Sequence, residues 1–404
     1  MSVHELALQR NKYKHLSDDE WRWFLQQAEG RERTADKLPT FAAIEDWWYP
    51  VRLSCEQCSS ELTAKYKAQI GKCANEKIGK CLDLTGGYGV DTYFLSEHFN
   101  RTDYVEQNAE LCRIAEHNLK RPTPSLLKGK EICVHNTSAE HFLSSLSGEV
   151  GRGFDLIYID PARRDSHGGK VFRLEDCTPN VVELLPALLQ HLAPEGRLML
   201  KLSPMLDITQ ALNALTVSDS LLVFDVHVVA VKNEVKEILL LSQPPTANSQ
   251  SPTITAIDLA EPEKAFIFTR EQEKEAQVPT GKCENEQMGK YLYEPNAAIL
   301  KAGAYKLVAQ RFGLAKADIN THLYFSDRLI DHFPGRVWQL NEKIGKCENE
   351  KMRKCCLANV LVRNYPLTAE QLKKKMHIKD GGEGYLIGCR VQGKPTLFHA
   401  TRIY

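Results

Sequence analysis

Short apolar runs and longer helix-like stretches alternate between residues 61 and 245. The short runs have the length and the β-branched content of buried strands, whereas apolar residues recur every three or four positions in the longer stretches. This alternation predicts a parallel sheet with helices on both of its faces. The predicted strands are CLDLT, DYVEQ, EICVHN, DLIYID and GRLMLKL, and the predicted helices include NAELCRIAEHNLK and NVVELLPALLQHLA.

The alternating region ends with LLVFDVHVVAVKNEVKEILLLS, in which two β-branched runs flank the polar turn KNEVKE. This pattern predicts a hairpin, whose strands pair antiparallel at the edge of the sheet. The next segment, QPPTANSQSP (243–252), has the composition of a linker. Beyond it, YLYEPNAAILKAGAYKLVAQRFGL predicts a strand and a helix, INTHLYFS predicts another strand, and the end of the chain predicts a strand, a helix and two strands.

Four parts are therefore expected along the chain, and the fold class is α/β with small α+β modules after the sheet. The first part is helical, because Ser17 can cap DDEWRWFLQQAEG and the acidic residues that follow Ser17 suit the helix dipole. The expected boundaries are 1–60 for the helical region, 61–245 for the α/β domain, and 253–335 and 336–404 for the two α+β modules.

The composition is that of an ordinary globular protein, with 43% hydrophobic and 26% charged residues. No segment approaches the apolar length of a membrane span and the first residues are polar, so we expect a cytoplasmic protein without a membrane contact. Twelve cysteines scattered over 404 residues favour reduced thiols. Three related segments, IGKCANEKIGKC (70–81), TGKCENEQMGKY (280–291) and IGKCENEKMRKC (344–355), lack histidine and have widely spaced cysteines, which favours loop insertions over a metal site.

The charge is distributed unevenly, although the net charge is zero. From Gly281 to Tyr404 there are 21 Lys and Arg residues and 12 Asp and Glu residues, and the rest of the chain carries the opposite surplus. A basic third on an acidic body is typical of a part that binds a polyanion. Solvated lysines without a partner would give the same count.

The strand CLDLT runs into a glycine-rich loop, GGYGVDT. The order Asp83-x-Thr85-x-Gly87-x-Gly89 places glycines where the backbone must approach a ligand and then turn into a helix. Glu106 ends the next strand, where a carboxylate can accept hydrogen bonds from both hydroxyls of a ribose. A helix-capping role is the alternative for Glu106. Together these residues indicate a nucleotide site at the carboxyl edge of the sheet.

The charge of this loop indicates which nucleotide it binds. A dinucleotide site would show G-x-G-x-x-G and a helix N-terminus free for pyrophosphate. Here the loop reads TGGYGVD and follows the carboxylate of Asp83, which repels phosphate and suits an ammonium group. S-adenosylmethionine has an amino acid, a sulfonium and a ribose but no phosphate, so Asp83 and Glu106 favour it over NAD.

The glycine loop, Glu106, the strand ending in DPARR and the closing hairpin resemble the class I S-adenosylmethionine-dependent methyltransferases. The resemblance covers 61–245 and implies a Rossmann-like sheet of seven strands, of which the last is antiparallel and inserted by a hairpin. It also implies that a third motif contacts the adenine amino group. The matching stretch, VHNTSAEHF, offers Asn136 and Ser138 for this contact and has no acid in the usual place.

The whole chain resembles a bacterial subfamily in which a ferredoxin-like and a THUMP-like domain follow the methyltransferase domain. The segments that carry this resemblance are DLTGGYGVDTYFLS, YIDPARRD, KLSPMLD, NTHLYFSD, LVRNYPLTAEQLKKK and IKDGGEGYL. It implies that 253–335 is ferredoxin-like and that 336–404 is THUMP-like. Because THUMP domains are RNA-binding modules of modification enzymes, it also implies a structured RNA partner such as tRNA or rRNA.

Methyltransferases that act on amino groups of bases end their fourth strand in Asp or Asn, two prolines and an aromatic residue. Asp160 and Pro161 match this motif, and Arg163 stands in the aromatic position. A guanidinium can stack on a base or bind a phosphate. The resemblance therefore implies that Asp160, Pro161 and Arg163 are the catalytic residues. The alternative makes Asp160 a turn residue and Arg163 a surface ion-pair partner.

Four further residues are weaker candidates for the same cleft: Lys201, Ser203, Ser59 and Ser60, each of which also suits a core or capping role. The leading hypothesis is a methyltransferase that modifies an exocyclic amino group of an RNA base and needs no metal. The alternatives are a methyltransferase of a protein or small molecule, since one fold hosts all three substrates, and an RNA-binding protein with a degenerate catalytic site.

Overall fold

The computed structural model describes residues 3–72, 79–120, 130–146, 153–162, 173–215, 223–243, 251–278, 289–344 and 357–404. The chain divides into two compact units. The first consists of Met1–Asp225 and Glu237–Gln250, and the second consists of Val226–Lys236 and Ser251–Tyr404. Of the helices in the described ranges, none is both long enough and apolar enough to cross a lipid bilayer.

The first unit begins with five α-helices in residues 3–72, of which four lie in the region 1–60 that is expected to be helical and the fifth follows it. The second of them starts at Ser17, whose hydroxyl accepts a hydrogen bond from the Glu20 amide while the Glu20 carboxylate accepts one from the Ser17 amide. This reciprocal cap satisfies two backbone donors and confirms the predicted start. The helices are α1 (Val3–Ala7), α2 (Asp18–Thr34), α3 (Pro39–Ala43), α4 (Arg52–Gln57) and α5 (Glu61–Ile70).

A parallel sheet forms the centre of the first unit and confirms all five predicted strands. Its order is β3-β2-β1-β4-β5, with the antiparallel β7 beside β5. These strands are β1 (Lys80–Asp83), β2 (Arg101–Glu106), β3 (Glu131–Asn136), β4 (Phe154–Ile159), β5 (Leu192–Leu202) and β7 (Glu234–Ser242). The helices that follow them are α6 (Val90–Ser96), α7 (Ala109–Leu119), α8 (Ala139–Ser145), α9 (Val181–Gln190) and α10 (Ile208–Leu215).

The predicted hairpin is formed by β6 (Phe224–Val231) and β7. Its turn consists of Lys232 and Asn233, whose φ angles of 52° and 63° suit a tight hairpin turn. The turn is shorter than the predicted KNEVKE, because the residues from Glu234 onward already belong to β7. With β6 and β7 the α/β domain has seven strands, and the last is antiparallel to β5, so the Rossmann-like fold class is confirmed.

One face of this sheet packs against aromatic residues from the N-terminal helices and from α6. Phe41 lies 4.1 Å from the Trp47 ring, and both are buried. Trp47 donates a hydrogen bond from its indole nitrogen to the Tyr88 hydroxyl at 2.8 Å. Because Tyr88 belongs to the glycine-rich loop, the segment between α3 and α4 supports that loop directly.

The second unit contains a sheet of seven strands in the order β11-β12-β10-β13-β16-β15-β14. Outside this seven-stranded sheet, β8 pairs with β6 on one side and with β9 on the other. One long helix was predicted after β10, but Gly303 adopts a φ of 83° and ends the first of two helices. The strands are β8 (Thr253–Asp258), β9 (Phe266–Thr269), β10 (Tyr291–Pro295), β11 (Ala315–Asp318), β12 (Thr321–Ser326), β13 (Gly335–Ile344), β14 (Asn359–Arg363), β15 (Gly384–Val391) and β16 (Lys394–Arg402). The helices are α11 (Arg270–Glu275), α12 (Ala297–Ala302), α13 (Tyr305–Phe312) and α14 (Ala369–Met376).

Candidate active site

The carboxyl ends of β1, β2, β4 and β5 meet at one edge of the sheet. The chain leaves β1 in one direction toward β2 and β3, and later returns on the other side as β4 and β5. Open α/β sheets bind their ligands at such a reversal of strand order. The predicted residues Asp83, Glu106 and Asp160 stand at the ends of three of these strands.

Asp83 lies completely inside the protein at the end of β1. One carboxylate oxygen accepts a hydrogen bond from the Thr85 amide at 3.0 Å, and the other accepts one from the Thr92 hydroxyl at 2.6 Å. Burial raises the pKa of Asp83 to about 7, although both hydrogen bonds act in the opposite direction. The Asp83 carboxyl group therefore holds the start of the glycine-rich loop through Thr85 and the helix that follows the loop through Thr92.

The glycine-rich loop passes the edge of the sheet with only part of its length exposed: Gly87 is half-buried, and Gly89 is buried. Gly87 has a φ of 54°, and among the described residues a Cβ atom on it would meet only the Thr85 carbonyl oxygen, 3.8 Å away. Gly89 has a φ of 83°, precedes the first residue of α6 and packs beneath Leu119, whose side chain would lie 3.4 Å from a Cβ atom on it. Both glycines adopt left-handed backbone, which glycine tolerates, and Gly87 is the one with space beside it in the described part of the chain.

Gly86 is a third glycine that the loop requires, and the sequence did not single it out. A Cβ atom on Gly86 would lie 2.1 Å from the ring of the buried Tyr104. The Tyr104 hydroxyl donates a hydrogen bond to the Gly87 carbonyl at 2.6 Å. The ring of Tyr104 thus sets the height of the loop above β2, and only glycine fits against it.

Glu106 lies directly beside this loop, half-exposed at the end of β2. One carboxylate oxygen accepts a hydrogen bond from the Gly87 amide at 2.9 Å, and the other accepts one from the Asn108 amide at 2.8 Å. The cap of α7 is Asn108, whose side chain accepts from two amides of the first turn. Glu106 thus holds the residue that caps α7 as well as the glycine-rich loop, and the structure brings Glu106 and Gly87 together.

Asn136 and Ser138, at the end of β3, hold neighbouring backbone. The Asn136 amide nitrogen donates hydrogen bonds to the carbonyls of Glu106 and Gln107, at 3.0 and 3.1 Å. Ser138 caps α8 by accepting a hydrogen bond from the His141 amide at 3.2 Å. These contacts fix the end of β3 to the end of β2, next to Glu106.

Asp160 follows β4 and is tied to the glycine-rich loop. Its amide donates a hydrogen bond to the Thr85 hydroxyl at 2.7 Å, and one of its carboxylate oxygens lies 2.5 Å from the ammonium nitrogen of Lys201. Two residues further on, Ala162 and Thr178 exchange backbone hydrogen bonds of 2.7 and 3.0 Å. Pro161 is therefore held between two fixed points. Arg163 lies outside the described residues.

Behind Asp160 lies a buried cluster of charges that the sequence did not indicate. Lys67, which is completely buried on α5, donates to both carboxylate oxygens of Glu237 at 2.8 Å and lies 3.2 Å from a carboxylate oxygen of Asp91. The other oxygen of Asp91 accepts hydrogen bonds from the hydroxyls of Ser59 and Tyr158. The one visible signal was a charged residue, Glu237, at the start of the apolar run ILLLS.

The remaining weak candidates serve local structure. Ser60 caps α5 through the Thr63 amide, and the Ser203 hydroxyl accepts a hydrogen bond from the Met205 amide. Among the residues that the structure describes, no group of three or more His, Cys, Asp and Glu side chains is arranged to hold a metal ion.

A crystal structure of a "putative methyltransferase" from Porphyromonas gingivalis W83 is similar to this chain over nearly its full length. The two share 33% sequence identity, with 96% of this chain and 92% of that one covered, and the TM-score is 0.79. Human methyltransferase-like protein 13 in complex with SAH gives 19% identity, coverage of 48% and 86%, and a TM-score of 0.34. An O-methyltransferase from Bacillus cereus in complex with SAH gives 12% identity, coverage of 53% and 90%, and a TM-score of 0.34.

With TM-scores of 0.34, the last two similarities do not bear on the function of this chain. No curated protein matches the chain. Family models match the second unit: residues 291–334 match a ferredoxin-like domain, and residues 344–402 match a domain described as THUMP domain-like. Given these matches and the nearly complete similarity to the Porphyromonas gingivalis protein, the chain belongs to the class I methyltransferase family, in the bacterial subfamily with ferredoxin-like and THUMP-like C-terminal domains.

Proposed function

We propose that this protein uses S-adenosylmethionine to methylate an exocyclic amino group of a base in structured RNA, such as tRNA or rRNA. One observation carries the proposal: the Gly87 amide donates a hydrogen bond to Glu106, and the Thr85 hydroxyl, just before the glycines, accepts one from the Asp160 amide. Glu106, the residue proposed to bind the cofactor, and Asp160, the residue proposed to bind the substrate amine, thus lie on either side of a single loop. This loop stands at the reversal of strand order, where open α/β sheets bind their ligands.

The residues at this edge suit the cofactor. The half-exposed carboxylate of Glu106 can accept hydrogen bonds from the two ribose hydroxyls, while Gly87, which is partly exposed and carries no side chain, lets the cofactor approach the backbone of the loop. When bound, the cofactor supplies a methyl group that passes to a nitrogen lone pair as its carbon–sulfur bond breaks and the electron pair stays on sulfur. Asn136 and Ser138 line the strand end next to Glu106, where the adenine contact would lie.

Asp160 and Pro161 suit an amino group on the opposite side of the loop. A carboxylate oxygen of Asp160 can accept one N–H of the amine, and the Pro161 carbonyl can accept the other. Both acceptors would point the nitrogen lone pair away from themselves and stabilise the positive charge that develops on nitrogen. Positioning two partners in this way can lower a barrier by roughly 7–11 kcal/mol. The nitrogen needs no strong base, because it can release its proton to water after the methyl group has arrived.

Two features support RNA as the substrate. Residues 281–404 carry the surplus of positive charge, and within them the match of residues 344–402 to a THUMP-like domain implies a module of RNA-modifying enzymes. In this proposal the domain at 61–245 performs the chemistry, and the domains at 253–335 and 336–404 bind the RNA. Arg163 would contact the base or a phosphate beside it. A tRNA or rRNA substrate also implies that the protein works in the cytoplasm.

Transfer of a labelled methyl group tests this function. The purified protein is incubated with methyl-labelled S-adenosylmethionine and with separated RNA and protein fractions from a strain that lacks the gene. We expect label in RNA, and we expect Asp160→Ala, which removes the acceptor that Asp or Asn supplies in this motif, to lower the rate, while Asp155→Asn, on the same strand, serves as a control that leaves it within about twofold. Label in the protein fraction, or an equal rate for Asp160→Ala, would contradict the proposal.

A further inference from the structure

Lys201 and Asp160 are brought together by the register of two neighbouring parallel strands. Ile159 of β4 pairs with Leu200 of β5, so the next residue of each strand stands beside its counterpart. The ammonium nitrogen of Lys201 lies 2.5 Å from one carboxylate oxygen of Asp160. The Lys201 side chain is 14% exposed and that of Asp160 is 38% exposed. The lysine therefore lies beneath the carboxylate, which faces the open edge of the sheet.

Lys201 cannot act as a base in this position. Burial alone would lower the pKa of Lys201, but the negative charges of Asp160, Asp91 and Glu237 outweigh burial and raise it. The side chain thus remains an ammonium ion, which donates hydrogen bonds and cannot accept a proton. Its contribution to chemistry must then pass through the group that it holds.

The buried cluster behind the pair makes its direct contacts with a different cation. Lys67 of α5 bonds both oxygens of Glu237 and lies next to Asp91, while Tyr158 and Ser59 donate to Asp91. Within the described part of the chain, the acid within ion-pairing distance of Lys201 is Asp160. Lys201 therefore acts on Asp91 and Glu237 only through its longer-range charge, and its direct contact serves Asp160.

We propose that Lys201 is a positioning residue for methyl transfer: it fixes one oxygen of Asp160 and leaves the other oxygen as the acceptor for the substrate amine. This inference rests on the proposed function. The Thr85 hydroxyl holds the Asp160 backbone and Lys201 holds its side chain, so the carboxylate is fixed at both ends. A carboxylate fixed in this way directs one N–H of the amine and leaves the lone pair free to attack the methyl carbon.

In the methyl transfer step, Lys201 neither gives nor takes a proton. A bond forms between nitrogen and the methyl carbon while the bond from that carbon to sulfur breaks, and the positive charge moves from sulfur to nitrogen. Asp160 faces this growing charge, and the nitrogen then loses its proton to water. A misplaced carboxylate would slow this step and leave cofactor binding unchanged, since Glu106 and the glycine-rich loop form the cofactor side.

Kinetics of Lys201 variants test the inference. We expect Lys201→Met to lower kcat by about 100-fold, the typical cost of a misplacement near 1 Å, and to leave KM for RNA and Kd for S-adenosylmethionine within about twofold. Lys201→Arg should recover at least about tenfold of that loss, because it restores a cation. Methylammonium added to Lys201→Ala should restore part of the rate. Lys120→Met, which removes an exposed ion pair with Glu116, is the control and should behave like the unaltered protein.

The possible outcomes distinguish the positioning role of Lys201 from the proposed function of the protein. Methyl transfer that Lys201→Met leaves unchanged would overturn the positioning role and leave the proposed function standing. A loss that neither arginine nor methylammonium relieves, or that comes with weaker cofactor binding, would indicate a structural role instead. If the unaltered protein transfers no methyl group to any fraction, the proposed function is overturned and this inference falls with it.

Discussion

Replacing Lys67 with methionine should destabilise the first unit strongly. Lys67 is completely buried and donates to both carboxylate oxygens of Glu237 at 2.8 Å. Methionine fills a similar volume but donates nothing, so Glu237 would be left as a buried carboxylate without the donor that it uses now. Asp91 would keep the hydroxyls of Ser59 and Tyr158, so Glu237 carries most of the cost.

The size of this effect follows from the burial of both partners. Removing one member of a buried ion pair costs about 3–5 kcal/mol, because the charge that remains has lost its solvent and its partner. A domain of this kind is stable by about 5–15 kcal/mol, so Lys67→Met removes a large share of that stability. The double variant Lys67→Met with Glu237→Leu should recover most of the loss, since it leaves no unpaired charge at that position.

Urea unfolding followed by tryptophan fluorescence measures these differences. Trp21, Trp23, Trp47 and Trp48 belong to the first unit and Trp338 belongs to the second, so the signal reports mainly the unit that holds the cluster. Lys120→Met, which removes the exposed ion pair with Glu116, is the control and should cost less than about 1 kcal/mol. A Lys67→Met variant within about 1 kcal/mol of the unaltered protein, or a double variant no better than the single one, would refute the reasoning.

Two further predictions concern the glycine-rich loop. The pKa of Asp83 is raised from 3.8 to about 7, so the folded protein keeps a proton that the unfolded chain releases. The free energy of unfolding should therefore fall between about pH 4 and pH 7, by an amount on the order of 4 kcal/mol, and Asp83→Asn should flatten that decline in a series of thermal melts. Gly86→Ala places a methyl group 2.1 Å from the Tyr104 ring and should cost about 1–3 kcal/mol in urea unfolding as well as weaken cofactor binding; unchanged values of both would show that the loop can shift.

The sequence predicted the sheet well because buried parallel strands leave a strong local signal. An apolar run such as DLIYID is too short for a helix and is followed by residues that break a strand. The same reasoning found Ser17 and the hairpin, whose cap and turn depend on residues close together in the chain. The hairpin turn was placed too broadly, since Lys236 and Glu237 are polar although they belong to β7.

The parts that the sequence could not provide depend on contacts between distant residues. Lys67 and Glu237 are 170 positions apart, and neither position shows by itself that the other is opposite. The sequence does not distinguish Gly86 from the neighbouring glycines, because its requirement for glycine comes from the ring of Tyr104, which packs against it in the fold. For Asp83, the spacing of the motif predicts its place next to the loop. Its burial, and the hydrogen bonds of both carboxylate oxygens to threonines, are visible only in the fold.

Calorimetric titration with S-adenosylmethionine tests the central claim most directly, because it needs no methyl acceptor. We predict one binding site on the unaltered protein and a Kd that Glu106→Gln raises by about 10- to 100-fold, as expected for weakening charge-assisted hydrogen bonds. Glu110→Gln, an exposed position in the first turn of α7, should bind like the unaltered protein. No heat of binding to the unaltered protein, or equal affinity for Glu106→Gln, would contradict the account.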